Sequence, residues 1–104
     1  MLVIRELMYC KPGKVKPLLD IFRKMNEMSE RVGFPKMRIM TDVAAERYWT
    51  LVAEMEVENY AAFEKMMSGE GQNEADMKEM EAMMKGYHDY VDHGKREIYK
   101  LETA

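Results

Sequence analysis

Tyr48-Trp49-Thr50-Leu51-Val52-Ala53-Glu54-Met55-Glu56-Val57 is the run on which the fold turns. Successive side chains of an extended chain point to opposite sides. Trp49, Leu51, Ala53, Met55 and Val57 therefore share one face, and Tyr48, Thr50, Val52, Glu54 and Glu56 share the other. The first face is apolar and suited to a cover of helices. The second is neither cleanly apolar nor cleanly polar. Just upstream, Met37, Ile39, Thr41 and Val43 alternate in the same way with Lys36, Arg38, Met40 and Asp42, and Ala44-Ala45-Glu46 is short enough for a hairpin loop between the two strands.

Outward from this hairpin the chain reads as two similar halves. In the first, a strand over Leu2–Tyr9 leads through the turn Lys11-Pro12-Gly13-Lys14 into a helix over about Lys14–Arg31. Val15, Leu18, Phe22, Met25 and Val32 fall near helical spacing, widened by Leu19, Ile21 and Met28. Pro17 sits in the first turn, where its missing N–H costs nothing, while Gly33 and Pro35 stop the helix. In the second half, Asn59 is placed to cap a helix over Tyr60–Met67, Gly69-Glu70-Gly71-Gln72 breaks it, and Asn73 caps a further piece. Met77, Met80, Met84, Tyr87 and Val91 form the next stripe, with Gly86 inside it, and His93-Gly94 ends it before a strand over Arg96–Leu101. Strand, helix, strand, repeated, is the ferredoxin-like βαββαβ arrangement: an α+β fold with an antiparallel sheet and helices on one face. The reading is one domain over residues 1–104.

Composition narrows the class. A net charge of −3 argues against a nucleic-acid surface, which needs a clustered basic face. No run of apolar residues is long enough to span a membrane, and Arg5 and Glu6 interrupt any signal-peptide core. The single cysteine, Cys10, cannot form an intramolecular disulfide, so a reducing cytoplasm is the simplest setting. The first helix, Lys14–Arg31, has five basic and three acidic residues, and Glu70–Asp92 has two basic and seven acidic ones, so the two attract at their edges. A chain of 104 residues has a modest core, which favours oligomerisation. The half-polar sheet face with Met40, Tyr48 and Val52 is best explained by a second copy's sheet, giving a homodimer through sheet faces.

The succession of opening strand, Lys11-Pro12-Gly13-Lys14, amphipathic helix, hairpin, broken second helix and closing Gly94-Lys95-Arg96-Glu97-Ile98-Tyr99 resembles the dimeric α+β barrel superfamily. Within it the chain looks most like NIPSNAP-like proteins, with antibiotic-biosynthesis-type monooxygenases as cousins. NIPSNAP-like proteins often carry Glu-Leu-Arg on the first strand. Here that strand reads Ile4-Arg5-Glu6-Leu7-Met8-Tyr9, with the arginine displaced relative to Pro12. The resemblance implies architecture more than chemistry. For the oxygenases it implies an aromatic substrate held between sheet and helices by a first-strand Asn, a Trp and a helix His. This chain offers Trp49 and His88 but no first-strand Asn; Asn26 lies on the first helix.

The candidate site is accordingly a cleft between the sheet and the broken second helix, lined by Trp49, Met84, Tyr87 and His88, with Gly69–Asn73 as a mobile break over its mouth. Methionine lines adaptable surfaces and also fills irregular cores, and there are thirteen. His88 with Asp92 and Asp89 with His93 have the i, i+4 spacing of paired metal ligands on a helix, but no third ligand is evident. Met77, Met80, Met83 and Met84 could offer thioethers to Cu(I), yet no His or Cys accompanies them and the spacing is that of a core stripe. No phosphate loop, Ser-His-Asp order or CxxC occurs, and no cofactor or metal is expected. The function expected is a small NIPSNAP-like protein that binds a small apolar or aromatic molecule. The alternatives are a cofactor-independent monooxygenase acting on an aromatic or polyketide-like compound, and an interaction module whose cleft is filled by its own side chains.

Overall fold

The structure, a computed structural model, describes residues 1–69 and 71–102. Eight elements follow in the order β1 (Leu2–Cys10), α1 (Val15–Val32), β2 (Arg38–Thr41), β3 (Thr50–Val57), α2 (Tyr60–Ser68), α3 (Glu74–Met83), α4 (Tyr87–Tyr90) and β4 (Val91–Lys100). The sheet runs β2-β3-β1-β4 with every neighbouring pair antiparallel, which is the ferredoxin-like order. Among the described residues no helix is long and apolar enough to cross a membrane.

The alternation in β1 and β3 sets the core. Ile4 and Met8 from β1 and Leu51, Ala53 and Val57 from β3 are buried on the face that the helices cover. Against them α1 places Leu18, Ile21, Phe22 and Met28, with Leu18 wholly enclosed, and α2 adds Phe63. Gly33 closes α1, and Asn59 and Asn73 cap α2 and α3 by accepting from the N–H groups of Ala62 and Asp76 at 2.9 and 2.7 Å. Asn26, half-buried on α1, donates to the Met37 carbonyl and accepts from the Met37 N–H, each at 2.8 Å. It thereby pins the segment that leads into β2. The opposite charges of the helices meet where Arg31 of α1 contacts Asp76 and Glu79 of α3, at 3.1 and 2.5 Å. Exposed pairs of this kind contribute little to stability.

Four local expectations are corrected. The third strand begins at Thr50, not Tyr48, because the turn before it is held by its own side chains. The Thr50 N–H donates to Asp42 at 2.8 Å and its hydroxyl to the Arg47 carbonyl at 2.8 Å. This leaves Trp49 at φ +62°. The second strand is Arg38–Thr41, and Val43 is fully exposed.

The last strand begins at Val91, five residues before Arg96, so Val91 belongs to the sheet and not to a helical stripe, and His93-Gly94 lies inside the strand. Pairing with β1 over nearly its whole length overrides the helical spacing. Gly86, expected within a helix, instead stands between α3 and α4 at φ +95°, a turn in the left-handed region. A Cβ there would meet the Tyr90 ring at 3.5 Å, an ordinary contact, so the backbone conformation and not lack of space calls for glycine. The break expected over Gly69–Asn73 contains Glu70, which lies outside the described residues.

The face away from the helices carries registered cross-strand rows. Arg38, Glu54, Arg5 and Glu97 stand side by side across all four strands. Arg38 pairs with Glu54, Arg5 lies 3.2 Å from Glu54, and Arg5 lies 3.9 Å from Glu97. The adjoining row is Met40, Val52, Leu7 and Lys95.

Candidate functional site

A cavity of about 270 Å³ opens between the sheet and the helices where α1, the segment before β2, β3, α2 and α3 converge. Six methionines line it: Met25, Met37, Met55, Met66, Met67 and Met80. Phe34 and Pro35 complete the apolar wall, Gly69 sits at the end of α2, and Ser29 and Gln72 are the polar members. The Ser29 hydroxyl is committed to the Asn26 carbonyl at 2.6 Å. Among the described lining residues none is charged. The cavity lies between two separate helices: α2 packs Phe63 and Met66 over Ile4 and Val57, while α3 leans on α1.

The four residues expected to form the cleft lie elsewhere. Met84 and Tyr87 pack against the main core beside Leu18 and Val91. His88 is exposed, with its ring edge-on to Tyr87 at 5.3 Å. Trp49 is 44 % exposed on the loop before β3, over shallow hollows shared with Arg47, Tyr48 and Val15. Met84, Tyr87 and His88 are thus neighbours, Trp49 is apart from them, and none of the four lines the methionine cavity. The start of β4 at Val91 breaks the helical spacing of His88 with Asp92 and of Asp89 with His93.

Burial, with Glu6 and Cys10 nearby, raises the Tyr87 phenol above its ordinary value. Burial first, and Asp42 second, raise the Cys10 thiol, so it is a protonated core group and not a poised nucleophile.

Sequence reasoning passed over a polar cluster at the end of the outer sheet face. The His93 Nε2 lies 2.6 Å from the Arg47 guanidinium, and its Nδ1 lies 3.0 Å from Asp92. An arginine has only donors, so Nε2 accepts and Nδ1 carries the proton. The Tyr9 ring lies 4.9 Å from both His93 and the Arg47 guanidinium. Tyr9 also faces Lys95 and, with Glu97, raises that ammonium's pKa. The only signal for this cluster is the cross-strand pairing of Tyr9 with His93, which depends on the true start of β4.

No protein-family model matches the chain, and no curated protein matches it in sequence. Solved structures do match in fold. An uncharacterized NIPSNAP domain protein from Burkholderia xenovorans superposes with a TM-score of 0.76 at 14% identity, over 98% of this chain and 95% of that one. A NIPSNAP family protein from Agrobacterium tumefaciens gives 0.77 at 8% identity, over 97% and 92%. A putative antibiotic biosynthesis monooxygenase from Deinococcus radiodurans gives 0.70 at 9% identity, over 100% and 95%. Identities this low speak to fold alone. In fold, across nearly its whole length, this chain is similar to NIPSNAP domain proteins and to proteins of the antibiotic biosynthesis monooxygenase type.

Proposed function

We propose that the chain is a NIPSNAP-like binding protein that takes a small neutral apolar or aromatic molecule into the methionine-lined cavity and works as a homodimer through its outer sheet face. The cavity carries the reading. About 270 Å³ of space under an apolar wall, at the seam between sheet and helices, is the kind of site that holds a small ligand. No charge stands among the described lining residues to pair with an ionic group of an organic guest, which favours a neutral organic molecule. Methionine supplies the wall with mobility and with favourable sulfur–ring contacts, so the pocket can close around a flat aromatic.

The test is thermal unfolding and methyl NMR with a panel of neutral aromatics such as indole and naphthalene. A ligand at about 100 times its Kd adds about 2.7 kcal/mol to stability and shifts the methyl signals of the six methionines. Met80→Trp, which fills the hollow, should abolish the shift. A panel that leaves both signals unmoved overturns the reading and favours an interaction module. A monooxygenase acting on an aromatic or polyketide-like compound is the alternative that the fold neighbours of that name suggest. Oxygen uptake with such a substrate would favour it. Trp49 and His88, the residues that resemblance offers for it, both lie outside the cavity.

A further inference from the structure

The chain has thirteen methionines, and the fold gathers six of them around one hollow. They come from separate places: Met25 from α1, Met37 from the segment before β2, Met55 from β3, Met66 and Met67 from α2, and Met80 from α3. Leucine or isoleucine would wall an apolar hollow with stiffer side chains. Methionine adds a donor atom at each position and the rotatable bonds to aim it.

A thioether sulfur is neutral, polarizable and soft. It is a poor ligand for Zn²⁺, Ca²⁺ or Mg²⁺, whose sites are built from thiolate, imidazole and oxygen. It suits Cu(I), which softness selects. The described lining residues include no His, Cys, Asp or Glu that would favour a divalent ion. A monovalent ion is also the charge that an uncharged, largely apolar cavity can accept at the lowest desolvation cost. The five methionines other than Met67 are half-buried, and Met67 is 55 % exposed, so the hollow has partly enclosed donors and an entry path.

We propose that this cavity is a thioether site for a soft monovalent cation, Cu(I), held by sulfurs drawn from Met25, Met37, Met55, Met66, Met67 and Met80. The ion enters already as Cu(I), so no electron transfer is involved. The proposal uses the same cavity as the binding function but does not require an organic ligand. Metal uptake without aromatic binding upholds it and removes the other reading, and the reverse result does the opposite.

The test uses the full chain, with Ag(I) as a redox-inert probe and Cu(I) buffered by a competing chelator under reductant. A single equivalent should bind, and the methyl signals of the cavity methionines should move while those of Met8 and Met28 in the core stay. Thioethers do not titrate, so affinity should be flat from about pH 5.5 to about pH 8, the range over which histidine ligands would change it. The combined variant Met55→Leu, Met66→Leu, Met80→Leu keeps side-chain volume and should weaken binding by about tenfold or more, since three donors are lost. If it fails to fold, the three single variants serve. Cys10→Ser removes the one thiol of the sequence and should leave binding unchanged. No stoichiometric uptake, affinity that climbs with pH, loss of binding in Cys10→Ser, or full binding in the leucine variants would each overturn the site.

Discussion

Trp49 holds φ at +62° with its indole 44 % exposed. A bulky residue in the left-handed region costs on the order of 1–3 kcal/mol and persists only where neighbours fix it. Here the Cys10 N–H donates to the Trp49 carbonyl at 2.8 Å, and the next residue, Thr50, is fixed to Asp42 and to the Arg47 carbonyl. Asparagine tolerates this conformation far better than tryptophan. Trp49→Asn gives up half-exposed burial but relieves strain, so urea unfolding should show a loss of about 1 kcal/mol or less, where a core aromatic truncated to Ala would cost about 3–5 kcal/mol. A loss in that larger range would mean that the indole is a core member after all. Tyr87 makes the second residue-scale prediction. Its folded pKa is raised, so the neutral phenol is the form the fold prefers. That contribution is fully present below the ordinary value of 10.0 and is lost as pH rises through the higher folded value. Cys10 acts in the same direction from 9.0. Stability should therefore fall with alkaline pH from about pH 9 upward, and Tyr87→Phe should flatten the steeper part of that fall in denaturant midpoints measured across the range.

Elements were legible where their signals are local. The Asn59 and Asn73 caps and the Gly33 stop each act through one or two hydrogen bonds within a turn, and all three stand where their spacing put them. The start of β4 was not legible. Tyr87-His88-Asp89-Tyr90-Val91 satisfies a helical period, and only pairing with β1, more than eighty positions away, turns Val91 into a strand residue. The methionine cavity was hidden for the same reason: spacing put Met25, Met37, Met55 and Met80 on apolar faces of four separate segments, and nothing in that spacing brings the segments together. Gly94 tests the strand directly. A Cβ there would stand 2.8 Å from the Leu7 carbonyl oxygen, a backbone atom that cannot swing aside. Gly94→Ala should cost about 1–3 kcal/mol, the range for overpacking a tight site, and should speed amide exchange along β1 and β4 before it does so in α1. An unchanged midpoint would show that the two strands separate there at little cost.

The whole chain exposes 7195 Å² for a mass of 12.3 kDa. A compact monomer of this mass exposes roughly 6,100 Å², so roughly 1,100 Å² is in excess. Its radius of gyration, 14.2 Å, is likewise above the roughly 12.9 Å of a compact domain of this length. The surplus has an obvious address. One sheet face is covered by helices, and the other carries Met40 at 40 % and Tyr99 at 50 % exposure beside half-buried Val3, Leu7 and Val52. A four-stranded face is about 19 Å by about 26 Å. Two copies face to face would then bury about 1,000 Å², near the lower bound for a specific interface. The Arg38-Glu54-Arg5-Glu97 row is already internally paired, so it can enter such an interface without leaving a charge alone. The apolar row of Met40, Val52 and Leu7 would supply the attraction. Sedimentation should accordingly show a concentration-dependent dimer, dominant at tens of micromolar and dissociating on dilution, as an interface of this size implies. Val52→Lys places a charge in the middle of the apolar row while leaving the helix-facing core untouched. It should shift the population to monomer without lowering the monomer's own stability by more than about 0.5 kcal/mol, the usual limit for a surface change. A wild-type chain that stays monomeric at every concentration, or a Val52→Lys chain that dimerises as well as wild type, would move the interface off this face and leave the surplus area without a partner.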